Sequence, residues 1–161
     1  MCFQVIVVIA IFSLSVQVYA NALKMANEGA GLLKRSKSAL FPLNIILFYS
    51  GVFYLTQAVS NEPTNLDVRL VRAMALFDFA ENNPLAQDTV LEDLEFFLMF
   101  RNRYPYSTKV ELPLVYFALA YVSGLKKDFA RFYYYLDRLR ECEEMAKYLS
   151  QLKQRFPQLV K

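Results

Sequence analysis

Apolar residues recur at intervals of three and four along most of the chain, the period of one helix face. Leu23, Ala26, Ala30 and Leu33 predict a helix over 21–37. The segment 43–59 is apolar on most sides, with Pro42 suited to its first turn. Leu66, Leu70, Ala73 and Phe77, widened by Val68, Val71, Leu76 and Phe79, predict a helix over 65–80. Val90, Leu91, Leu94, Phe97, Leu98 and Phe100 do the same from Pro84 to about Arg101. The close-packing run Tyr116–Tyr121 stops at Ser123-Gly124, where Gly124 can take a left-handed cap conformation. A helix opening at Asp128 turns Phe129, Phe132 or Tyr133, Leu136 and Leu139 inward. That face slips out of register near Cys142. A last helix uses Met145, Leu149, Leu152 and Phe156 and ends at Pro157.

The breaks between these runs are evenly spaced. Prolines stand at 42, 63, 84 and 105, each 21 residues from the last. That interval holds about four helical turns and a short connection, so the prolines read as joints of an antiparallel helical array. Asn61-Glu-Pro63-Thr ends one helix, and Asn65 offers its side-chain oxygen to cap the next. Asn83 caps ahead of Pro84, and Ser107 is placed to cap after Pro105. Pro63 to Leu70 aligns with Pro105 to Leu112, which makes the repeating unit a helix pair of 42 residues. Pro113 must then sit early in its helix or kink it.

Two stretches bear on location. Residues 1–20 carry no charged side chain, hold an apolar run from Val5 to Val16, and end on Val18-Tyr19-Ala20, the form of a secretory signal cut after Ala20. The n-region has no Lys or Arg, and an uncleaved anchor is the alternative. The body of the protein is then 21–161. From Ser38 to Asn61 no side chain is charged, a run of 24 residues that is long enough to span a bilayer. Asn44, Ser50, Gly51, Gln57 and Ala58 interrupt it, as they would in a central helix covered by its neighbours. Lys34, Arg35 and Lys37 would hold the N-terminal end of such a span in the cytoplasm.

Composition narrows the chemistry. At 161 residues, one domain with a substantial core is expected. A net charge of +3, with both signs interleaved, gives no ground for nucleic-acid binding. The chain contains no histidine, which removes His-based catalysis and most zinc or iron ligand sets. Its cysteines are Cys2 and Cys142, so disulfides do not hold the fold. Gly29 and Gly31 lack the strand and the Gly-Lys-Ser/Thr sequence of a phosphate loop, and read as close helix contact. Asp88, Glu92, Asp93 and Glu95 read mostly as the solvated face of a helix. Neither Glu92 with Glu95 nor Glu143 with Glu144 is accompanied by a nucleophile or cofactor loop, so the reading is non-enzymatic, with no cofactor and no metal. Of Tyr133, Tyr134 and Tyr135, at least one must face outward, which suits a binding surface.

Three pieces of sequence carry a family likeness. They are Gly51, Leu55, Ala58 and Pro63; Tyr104-Pro105-Tyr-Ser107 with Ala118-Leu-Ala120 and Gly124; and Lys127-Asp-Phe-Ala130. Over roughly 43–139 the chain resembles the tetratricopeptide-repeat family and its looser helix-pair relatives. The resemblance implies an all-α, right-handed solenoid of about seven helices that grips a protein or peptide partner in a concave groove. The expected function is an exported scaffold for protein–protein interaction at the cell envelope. Its candidate partner contacts are Arg69, Arg72, Tyr116, Tyr121 and Tyr134. The alternative is a membrane-anchored subunit of an envelope assembly, with 1–20, 41–59 or both in the bilayer.

Overall fold

A computed structural model describes residues 21–160, so the signal or anchor reading of 1–20 lies outside the described residues. The described residues are all-α. Helix α1 covers 21–36. It is followed by α2 (Leu43–Asn61), α3 (Leu66–Phe77), a single 3₁₀ turn (Ala80–Asn82), α4 (Pro84–Phe100), α5 (Leu112–Leu125), α6 (Phe129–Arg140) and α7 (Ala146–Arg155). Contacts divide the chain into two compact units. The first runs to Arg72 and takes in Tyr104–Tyr106; the second comprises Ala73–Arg103 and the chain from Ser107 onward.

The caps form where short polar side chains stand before apolar runs. Asn65 Oδ1 accepts from the Val68 amide at 3.2 Å, and its amide nitrogen donates to Glu62 Oε2. Asn83 Oδ1 accepts from the Ala86 amide at 3.2 Å, and Asp128 Oδ1 from the Arg131 amide at 3.1 Å. Each satisfies an amide that the first helical turn leaves without a carbonyl.

In the first unit, α1 and α2 meet backbone to backbone. A methyl group at Gly29 would lie 2.9 Å from the Gly51 carbonyl oxygen, and one at Gly51 would lie 2.8 Å from the Gly29 carbonyl oxygen. The expected close contact is therefore made by Gly29 alone of its pair. Gly31 faces open space, with nothing within 4 Å.

The second unit is built around α5, which packs against α4, α6 and α7. Val115, Phe117, Ala118, Leu119, Ala120, Val122, Ser123 and Gly124 are all buried, so α5 is covered on nearly every side. Aromatic rings continue this core: Phe77 meets Phe117 and Tyr121, Phe117 meets Tyr148, and Phe156 meets both Tyr121 and Phe132, at centroid distances of 5.2–5.9 Å.

Three local expectations are corrected. Ser107 caps no helix: α5 begins at Leu112, which puts Pro113 in the first turn, where its missing amide costs nothing. A helix opening beside Ser107 would have carried Pro113 in its interior. Gly124 lies inside α5 without positive φ, and the left-handed residue after the helix is Lys127, φ 59°. The space beside 124 is taken by Phe156, whose ring would stand 2.8 Å from an added methyl. On α6 the inward stripe is Phe132, Tyr135, Leu136 and Leu139, while Phe129 is exposed. Tyr135 can be buried because its hydroxyl donates to Glu95 Oε1 at 2.9 Å.

Candidate functional site

Helix α2 carries the most distinctive surface of the chain. It buries Gly51, Leu55, Ala58 and Val59, which follow one another at helical spacing on a single side. On the opposite side, Leu43, Ile46, Tyr49 and Phe53 form a stripe that Ile45 and Tyr54 widen, and all six are exposed. Tyr49 is 68% exposed and Phe53 64%. The turn before the helix adds Leu40 and Phe41, the latter 77% exposed. Ser50, half-buried, is a polar residue within this arc, and the face turns polar in its last two turns through Thr56, Gln57 and Ser60. Covered on most sides α2 is not; it is half covered. Alone among the described helices it is long and apolar enough to cross a membrane.

The hairpin that presents this surface is cationic. Residues 21–61 hold Lys24, Lys34, Arg35 and Lys37 against the single carboxylate of Glu28. Their balance equals the net +3 of the whole chain, so the remaining residues are neutral in sum. Lys34, Arg35 and Lys37 are exposed where α1 ends and the chain turns toward Leu40 and Phe41. Beside them an open hollow between α1 and α2 is lined by Glu28, Gly31, Leu32, Arg35 and Tyr54.

The residues expected to contact a partner fall in different environments. Arg69 and Arg72 are buried, 8% and 7% exposed, and both are engaged. Arg69 Nε donates to the Pro63 carbonyl at 2.7 Å, which ties the first turns of α3 to the proline joint. Tyr116 is half-buried. Tyr121 is half-buried too, and its hydroxyl donates to Glu81. The same carboxylate receives both Arg155 Nε at 3.2 Å and Nη2 at 2.9 Å. Arg155 and the Tyr121 hydroxyl hold the Glu81 carboxyl below its ordinary range. Burial, then the Glu81 bond, pushes the Tyr121 phenol up. Only Tyr134 stands well exposed, at 56%, beside the exposed rings of Phe129 and Tyr133 on the outer face of α6. No known family, curated protein or solved structure matches this chain.

Among the described residues, no group of three or more acidic or thiol side chains is placed to hold a metal ion. The acidic side of α4 is less uniform than its spacing indicates: Asp93 is fully buried and engaged, Asp88 binds Lys126 at 2.5 Å, and Glu95 receives Tyr135. Cys142 is half-buried, and burial pushes its thiol up, away from the reactive thiolate form. Sequence reasoning missed the outer stripe of α2. Its signal was present in the uncharged run, but one-sided cover and cover on all sides leave the same pattern in a helix with few polar residues.

Proposed function

We propose that this chain is a non-enzymatic, all-α subunit held at a membrane, which offers a helical scaffold to a protein partner. The observation that carries the reading is the outer face of α2: six exposed apolar side chains on an uncharged helix. Monomeric soluble proteins rarely leave so continuous an apolar surface in water, and rimmed patches of this kind mark membrane or partner contact. The alternative weighed from sequence, with 41–59 in contact with lipid, is thereby preferred to a freely soluble exported scaffold. The helix-pair likeness supports the second half of the reading. α5 and α6, joined by Lys126–Asp128, pack as one pair, and the exposed Phe129, Tyr133 and Tyr134 give that pair an aromatic face for a protein or peptide.

Fractionation of cells that make the full chain tests the reading. The wild type is expected in the membrane fraction, and Ile46→Glu with Phe53→Glu is expected to move a substantial share into the soluble fraction. Both substitutions fall on exposed positions, so the core is left alone. A wild type that is already soluble contradicts the reading. So does a double variant that stays with the membrane as fully as the wild type.

A further inference from the structure

The same hairpin says how α2 meets lipid. A free-standing span would place the middle of α2, near Gly51, at the centre of the bilayer. Gly51, however, touches the backbone of α1 at Gly29. The neighbour of Gly29 is Glu28, exposed and ionisable, and Lys24 and Lys34 each lie about 8 Å of helix rise from Gly29, one on either side. Spanning would carry these charges into hydrocarbon, where they are costly. If α2 lies in the interface plane instead, the outer stripe faces the acyl chains and α1 stays on the water side. The hairpin as a whole is then two-sided, with apolar side chains from α2 toward lipid and the exposed charges of α1 toward water, as an interfacial element requires.

Charge supports the same orientation. All of the net positive charge of the protein is gathered on residues 21–61, which also bear the exposed apolar stripe. Lys34, Arg35 and Lys37 precede Leu40 and Phe41 by three to seven residues, and all five are exposed. Arg35 also lines the hollow bounded by Tyr54, at the edge of the stripe. Its planar guanidinium matches a phosphate group. We infer that the α1–α2 hairpin is a monotopic docking element for an anionic phospholipid leaflet, with Leu43, Ile46, Tyr49 and Phe53 in the acyl boundary and Lys34, Arg35 and Lys37 on lipid phosphates. This rests on the reading of α2 as the membrane-facing surface.

The full chain is floated with vesicles of phosphatidylcholine, with and without phosphatidylglycerol. Binding is expected to be stronger with phosphatidylglycerol and to weaken as salt rises. Replacing Lys34, Arg35 and Lys37 by Gln is expected to weaken it roughly fivefold per charge removed. Equal binding to both vesicle types, or an unchanged triple variant, overturns the anionic preference and leaves the membrane reading standing. Absence of flotation with either vesicle overturns both.

Orientation has its own readout, because the chain contains no tryptophan. Single variants Leu43→Trp, Tyr49→Trp and Phe53→Trp then report without background, and all three positions are exposed. Shallow quenching of similar depth by brominated lipids is expected at all three. Deep quenching at Tyr49→Trp with shallow quenching at Leu43→Trp is the pattern of a span, and overturns the in-plane orientation.

Discussion

At the scale of single residues, glycine separates contacts that sequence spacing cannot. Gly29 and Gly31 look alike in the pattern, yet one meets a backbone carbonyl and the other meets nothing. Gly51→Ala forces a methyl against the Gly29 carbonyl oxygen, which cannot yield without moving a helix, and is expected to cost about 1–3 kcal/mol. Gly31→Ala removes a flexible residue from a helix interior with room to spare, and is expected to stabilise by about 0.5–1 kcal/mol. Urea melts of the two variants check both signs. Glu81 supplies a pH prediction. Its folded pKa is depressed, so its contribution is present above the ordinary carboxylate value and is lost as pH falls through the depressed one. Glu81→Gln should therefore lower stability at neutral pH and flatten the acid limb of the stability curve. Because Glu81 is exposed, the effect is small.

At the scale of elements, the helices and most joints were legible because their causes are local. Asn65, Asn83 and Asp128 sit beside the turns they cap, and the period of apolar residues found α3, α4 and α6. What was not legible depended on partners distant in sequence. Gly124 answers to Phe156 and Tyr135 to Glu95, and neither partner is visible from a window of one helix. The start of α5 shows two local rules in conflict, where Pro113 in the first turn prevails over Ser107 as a cap. The 42-residue correspondence fails at the same place. Leu70 lies inside α3, whereas Leu112 opens α5. Phe156 follows α7 and packs on Gly124, Tyr121 and Phe132. Because Phe156 is only half-buried, its truncation to Ala should cost about 1–3 kcal/mol and loosen α7 first, seen as faster amide exchange over 146–155 than over α5.

At the scale of the whole molecule, charge and apolar surface are unevenly shared. The first unit holds the cations of 21–37 and the exposed stripe of α2, while the second holds the aromatic core around α5. Of the candidate contacts named from sequence, Tyr134 is the one left well exposed, and Arg69 and Arg72 serve inside the fold. Under the proposed function, lipid contact falls to α2 and partner contact to the outer face of α6. The most direct test of the central claim is labelling of the full chain in membranes by a photoreactive phospholipid, with the adducts mapped by mass spectrometry. Adducts are expected on the outer arc of α2, at Tyr49 and Phe53 above all, with Leu55 and Ala58 unlabelled. Adducts confined to residues 1–20, with none on Leu43–Asn61, would contradict it.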